Sequence, residues 1–374
     1  MVETADVVVV GGGIIGCAIA YYLAREKVRT VVIDKGQPGH EASSAAGGFL
    51  AVASGSQRRG PTFELKRASL ALYEPLVQEL KEQTGIDSEY LRYGLLELIR
   101  SDEDGERLRA LYNLRREQGL PAEWLSAEDV WKLEPKLTRE IRGAAFFPGD
   151  PHLNNTKLTQ TLAVGAQKLG VEFLAGRAVT EIKKEGSRVV AVSAEGEEVK
   201  GEKVIIAAGS WSGKVGKLFG LTIPVEPAKG QMMTCRADFL HHLVSWGDHY
   251  LVPRLNGEVL IGATVEFVGF NKEVTLEAVR DFLEKTAEIM PALVKRPLGR
   301  AWAGLRPYSA TGRPIIGPAP GLDNVILATG HFRDGILLAP ITGKLIAELI
   351  TSGTPSLSLE PFGLSVSGAG ADEE

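Results

Sequence analysis

Gly11, Gly13, Gly16 and Asp34 are the residues whose types and spacing point most directly to chemistry. The glycines fit G-x-G-x-x-G and follow a β-rich run that stops at Gly11. An apolar helical stretch comes next, then a second β-rich run ending at Asp34. Strand, turn, helix, strand and acid in that order form a unit for binding a dinucleotide. Gly11 permits the tight turn, Gly13 lets backbone approach a pyrophosphate, and Gly16 lets the helix pack closely on the strand. The helix N-terminus, from Ile14 and Ile15, offers unpaired N–H groups and a positive dipole end to phosphates. Asp34, followed by Lys35, is placed to accept hydrogen bonds from adenosine ribose hydroxyls. Residues 7–24 carry no charge, which invites a membrane or signal segment instead. The flanks speak against it: Glu3 and Asp6 precede the run without any Lys or Arg, and the glycine triplet interrupts it.

Other candidates are weaker on their own. Arg306 sits between Leu305 and Pro307 in an apolar, glycine-containing run. An arginine there either pairs with an internal Asp or Glu or receives an anionic ligand; the sequence leaves both open. Tyr250, on a strand pattern, reads by default as a core or cross-strand aromatic. His331 invites a catalytic-base reading, His152 that of a satisfied internal histidine, and Arg58 and Arg59 that of a solvated loop. No metal-ligand cluster is present; His241 and His242 cannot face one site on a regular strand.

These residues need a scaffold. At 374 residues the chain suits about two domains, with ordinary globular composition (44% hydrophobic, 24% charged). A net charge of −5 argues against nucleic acid as a partner. Two cysteines, Cys17 and Cys235, make no disulfide framework and suit a reducing cytoplasm, with no membrane association. Leu65, Ala68, Leu72, Leu76 and Leu80 predict a helix kinked at Pro75. Ser126 to Asp129 resembles a helix N-cap. Helices are expected over 156–169, 275–290 and 336–350, and buried strands over 203–209 and 324–330. Residues 171–192 read as strands around a turn at 185–187, and 221–305 as antiparallel strands, including a hairpin around Leu255 to Gly257. The fold class is α/β plus α+β: a Rossmann-like nucleotide domain, interleaved with a substrate domain on a largely antiparallel sheet. The expected division gives 1–85, 150–220 and 306–364 to the first, 86–149 and 221–305 to the second, and a disordered tail at 365–374.

The segments Val10–Gly16, Ser43–Gly48, Val204–Ser212, Tyr250–Arg254, Trp302–Pro307 and Gly330–Pro340 carry a family signal. The chain resembles the FAD-dependent D-amino acid oxidase and sarcosine oxidase family from about Asp6 to Phe362, most closely its glycine oxidase branch of the thiamine pathway. The resemblance implies FAD and an oxidase that takes glycine, sarcosine or D-alanine through an imine, with oxygen as acceptor and hydrogen peroxide as product. It implies that flavin N5 does the chemistry and that no side chain is catalytic. It implies Arg306 as the clamp on the substrate carboxylate, Tyr250 as its helper, and Arg333 at the flavin edge. Ser43, Ser44, Ala46, Gly47 and Gly48 match the loop against pyrophosphate and isoalloxazine. Val179 matches a backbone contact to adenine, and Ala208 and Gly209 also fall at cofactor positions. Gly330, His331, Phe332, Arg333, Asp334, Gly335, Ile336 and Leu337 lead into a helix whose N-terminus faces the flavin pyrimidine ring. Phe49 and Val265 stand at pocket-floor positions where relatives carry methionine, and Asp334 replaces a common asparagine. The final third has no cysteine, so the FAD is expected to be noncovalent. The resemblance also implies a homo-oligomer, a tetramer. Other readings are an amino acid dehydrogenase passing electrons to a quinone or protein, a flavin-binding subunit with an assembly role, and a tRNA-modifying oxidoreductase.

Overall fold

A computed structural model describes residues 3–364, so the tail expected to be disordered lies outside the described residues. In chain order the strands are β1 (Glu3–Val10), β2 (Thr30–Asp34), β3 (Leu95–Ile99), β4 (Glu123–Ser126), β5 (Gly143–Phe147), β6 (Glu172–Ala175), β7 (Val179–Glu185) and β8 (Arg188–Ala194). They continue as β9 (Glu197–Ile206), β10 (Val225–Arg236), β11 (Leu243–Trp246), β12 (His249–Pro253), β13 (Glu258–Gly262), β14 (Leu298–Ser309), β15 (Ile315–Pro318) and β16 (Val325–Thr329). The helices are α1 (Ile14–Arg25), α2 (Ala42–Ala45), α3 (Pro61–Thr84), α4 (Asp102–Glu117), α5 (Ala127–Leu133), α6 (Asn155–Lys168), α7 (Ser212–Leu218), α8 (Leu276–Ile289) and α9 (Gly335–Thr351).

The first sheet runs β15-β16-β9-β1-β2-β6, with β7 and β8 attached beside β9. Its centre is parallel: β1 pairs with both β2 and β9. Alternation along β1 explains its burial. Val7 and Val9 face a core shared with α1, α3, α6 and α9, while Val8 and Val10 face Val204, Ile206 and Phe219. Each such residue, fully buried, contributes about 1.5–3 kcal/mol. Helix α9 lies close on α1 because position 343 is glycine: a Cβ there would fall 2.9 Å from the Ala18 carbonyl. No helix among the described residues is long and apolar enough to cross a membrane.

The second sheet runs β14-β10-β13-β12-β11-β3-β5-β4 and is antiparallel except where β11 meets β3. Directly opposed residues share a face, so the register lines up Trp302, Met232, Gly262, Tyr250, Ser245 and Glu97 across six strands.

The expected cap of α5 forms, Ser126 accepting from a backbone N–H three residues on, and Asn154 and Thr275 cap α6 and α8 in the same way. Helix α3 runs continuously through Pro75. The division expected after residue 305 falls inside β14, because that strand stays paired with β10 as far as Ser309. Arg306 therefore belongs to the second sheet and not to the nucleotide-binding side.

Candidate active site

A cavity of about 930 Å³ runs between the two sheets, from Val179 at the start of β7 to Tyr250 on the second sheet. Its nucleotide end is built by β1, α1 and β2. Gly11 has φ +111°, and a Cβ there would lie 2.4 Å from the Ala207 carbonyl oxygen. A Cβ on Gly16 would lie 1.9 Å from the Gly11 carbonyl oxygen, so Gly16 is a packing glycine outside the cavity wall. Gly13 differs: the only atom near its missing Cβ is the Ser43 hydroxyl, at 3.4 Å. That leaves the first turn of α1 open to the cavity, as a pyrophosphate requires. Ser43 accepts from the Ile14 N–H at 2.9 Å and so fixes the loop to the helix N-terminus.

Asp34 is held by two amides, accepting from Gly12 N at 2.6 Å and from Gly36 N at 2.7 Å. Burial pushes its carboxyl pKa up, and the two amides and Lys35 pull it back. Lys35 reaches Glu41 at 3.1 Å and lies 3.3 Å above the Trp211 ring, which also lines the cavity. Val179, Ala208 and Gly209 line the same end. Gly13, Ser43, Asp34 and this wall fit a dinucleotide cofactor.

Beyond the loop, Ala46, Gly47, Gly48 and Phe49 line the middle of the cavity, as do His331 and Phe332 through Leu337. Two expected contacts are corrected. The Ser44 hydroxyl donates to the Gly39 carbonyl within its own turn and does not line the cavity. Gly330 lies behind the wall too; its φ of +71° turns the chain out of β16, with Ser309 packed against it. His331 is buried, its Nε2 lies 3.1 Å from the Thr342 hydroxyl, and burial pushes its pKa down to about 3. It is neutral at working pH. Phe332 has φ +48°, which is uncommon without glycine and marks strain at a site wall.

At the far end stands Arg306, with Tyr250 close by. Arg306 donates from Nη1 to the Thr264 carbonyl at 2.9 Å. No carboxylate among the described residues lies within 4.0 Å of it, so the internal ion pair left open by the sequence is not formed. Burial lowers the Arg306 pKa and raises that of Tyr250, while each group's proximity opposes the other's shift. The guanidinium rests on Gly230: a Cβ there would lie 2.2 to 2.5 Å from its Nη1, Cζ and Nη2. Phe49 meets the Tyr250 ring edge-on at 4.9 Å. Arg333 is about half exposed, 3.9 Å from Asp248. Val265 is 37% exposed and stands at the rim, not the floor, because the chain has left β13 by that point.

Sequence reasoning missed the residues that hold these in place. Arg254, in a quoted segment but given no role, donates to the Gly47 carbonyl at 2.9 Å and to Asn155 Oδ1 at 3.0 Å. Asn155 in turn donates to the Ser43 carbonyl at 2.6 Å. Buried Lys66 lines the cavity and pairs with Asp334 at 2.8 Å. Thr264, whose carbonyl receives Arg306, is fixed by Gln231 N at 3.0 Å and by Glu266, which pairs with buried Lys229 at 2.9 Å. Only Arg254, charged within an apolar strand pattern, left a local signal.

The FAD dependent oxidoreductase family model matches residues 6–349. The chain belongs to that family. It is 37% identical to glycine oxidase from Bacillus licheniformis over 347 residues, 92% of each chain. Among solved structures, glycine oxidase from Geobacillus kaustophilus superposes with a TM-score of 0.94 at 33% identity, covering 98% of this chain and 100% of that one. Glycine oxidase from Bacillus cereus gives 0.91 at 33% identity, with 97% and 99% covered. The family's cofactor is FAD, and the glycine and Asp34 end of the cavity is the part that suits its adenosine diphosphate.

Proposed function

We propose that this family member is a glycine oxidase, which takes glycine and small relatives such as sarcosine and D-alanine to the imine, and then to glyoxylate and ammonia. The observation that carries this reading is Arg306: a half-buried cation without a carboxylate partner among the described residues, beside a tyrosine hydroxyl, at the end of the cofactor cavity. A planar guanidinium binds a carboxylate with two parallel charge-assisted hydrogen bonds, which would complete its pairing.

When bound, FAD would supply the redox chemistry, as the two-electron acceptor for the substrate and the donor to oxygen. This chain's residues bind and orient. Arg306 fixes the carboxylate, and Tyr250, kept protonated by burial, donates to it. Phe49 packs on Tyr250 and limits the space beside the α-carbon. His331, neutral and bonded to Thr342, takes no proton from the substrate. The substrate amine must therefore be neutral when it binds productively. The resemblance to the thiamine-pathway branch supports the imine as the useful product, and the family likeness supports a homo-oligomer in the cytoplasm.

The test is a visible spectrum of the holoenzyme without oxygen, before and after glycine. Bleaching of the flavin band, followed by one peroxide per glycine on admitting oxygen, is expected. Bound flavin that glycine does not bleach overturns the substrate; bleaching without peroxide overturns the oxidase.

A further inference from the structure

The cavity does not end at Tyr250. Along the sheet row, Tyr250 is followed on the side away from Arg306 by Ser245 on β11 and then Glu97 on β3, and both line the cavity. Two strand spacings separate Tyr250 from Glu97, roughly 10 Å between Cα atoms. Glycine held on Arg306 and Tyr250 leaves that end unfilled.

Glu97 is 9% exposed, and nothing in the reading above uses it. Its nearest cation, Arg107, stands at the long limit of a hydrogen bond, 3.5 Å away, and divides itself between Glu97 and Asp104 at 3.6 Å. Burial pushes the Glu97 carboxyl pKa up; Ser245 and Arg107 pull it back, and Asp104 pushes it further. Arg58, Arg333 and Asp248 also line the cavity; Arg333 and Asp248 stand 3.9 Å apart, the first about half exposed and the second largely open to solvent. Glu97 is thus a buried carboxylate whose one ion-pair partner is distant and shared with Asp104.

We infer that Glu97, with Ser245, forms a second substrate subsite that accepts a cationic amino group on a short substituent of the glycine unit. The inference rests on the glycine-oxidase reading, since it uses Arg306 to fix the other end. A substrate ammonium would give Glu97 the close charge-assisted hydrogen bond that Arg107 does not. It would make Glu97 a specificity-determining residue and widen the substrate class from glycine to glycines bearing an amino-terminated arm.

The experiment compares two isosteres, N-(2-aminoethyl)glycine and N-propylglycine, in anaerobic reduction of the holoenzyme. Glycine is run alongside; failure of glycine to bleach the flavin would sink the parent reading and not this one. The aminoethyl compound is expected to show at least tenfold lower Kd than the propyl compound, and Glu97→Gln to reduce that ratio to near one. Equal affinities in the wild-type protein overturn the subsite, and that result needs no variant to fold. Tighter binding of iminodiacetate than of the aminoethyl compound overturns it as well, by assigning the subsite to Arg107. A ratio that survives in Glu97→Gln removes Glu97 from the role.

Discussion

Replacing Gly230 by alanine puts one methyl group where the Arg306 guanidinium lies. The added Cβ would fall 2.2 Å from Nη1, 2.4 Å from Cζ and 2.5 Å from Nη2. Ordinary contact needs about 3.5 Å, so the guanidinium must move by about 1 Å or more. Its bond to the Thr264 carbonyl cannot survive that shift unaltered. A hydrogen bond to a charged group contributes about 1.5–3 kcal/mol, so losing one of two to the substrate carboxylate raises the glycine Kd by about 10- to 100-fold. The backbone should tolerate the change: Gly230 lies in the interior of β10, opposite Gly304 of β14, and alanine in a strand interior is favoured over glycine by about 0.5–1 kcal/mol. The expected signature is thus a protein with normal FAD content and an unchanged or raised Tm that binds glycine poorly. The assay is rapid-mixing reduction without oxygen, with Kd taken from the glycine dependence of the rate. A Gly230→Ala protein binding glycine within twofold of wild type would refute the seating of Arg306 on Gly230.

Arg254→Met leaves the Gly47 and Leu153 carbonyls without their donor. At about 1–3 kcal/mol for each unpaired buried group, FAD affinity should fall at least tenfold, measured by flavin titration of apoprotein. Asp34→Ala removes the acceptor for the Gly12 and Gly36 amides and should likewise weaken FAD binding, with little effect on the glycine Kd of the reconstituted protein. His152 is buried and its ring nitrogens have no hydrogen-bond partner; burial lowers its pKa from 6.5 to about 4. The unfolded chain therefore binds more protons, and stability falls as pH drops from the unfolded pKa toward the folded one. At about pH 5 the loss is about 2 kcal/mol, and His152→Phe should abolish that part of the fall in Tm between neutral and mildly acid pH. Arg115, fully buried, donates to the carbonyls of Ala53, Gly55, Gln57 and Arg58. Arg115→Met should free this wall of the cavity and speed its cleavage in limited proteolysis.

The nucleotide end was legible because its geometry is local. Gly11, Gly13, Gly16 and Asp34 act through one strand–helix–strand unit, and each role depends on backbone sterics that the residue type dictates. The hairpin of β12 and β13 and the cap of α5 were readable for the same reason. The substrate end was not legible from residues alone. Arg306, Gly230, Tyr250 and Glu97 come from four strands, and only sheet register places them on one surface. The resemblance supplied Arg306 and Tyr250, but it was silent on Gly230, on Arg254 and on the Lys229 and Glu266 pair, which act through other residues. The Ser44 hydroxyl turns away from the cavity because a shared motif fixes a loop's path and not the direction of each side chain. The boundary expected after residue 305 failed because β14 crosses it without any break in pattern.

Glycine and glycinamide differ by the carboxylate that Arg306 is held to receive, so their binding tests the central claim most directly. The measurement is the anaerobic Kd of each for wild-type holoenzyme and for Arg306→Lys. Wild type should prefer glycine by at least 100-fold, and the lysine variant, without the paired donors of the guanidinium, should lose most of that preference while keeping its FAD. Equal binding of the two by wild type, or an undiminished preference in Arg306→Lys, would contradict the account.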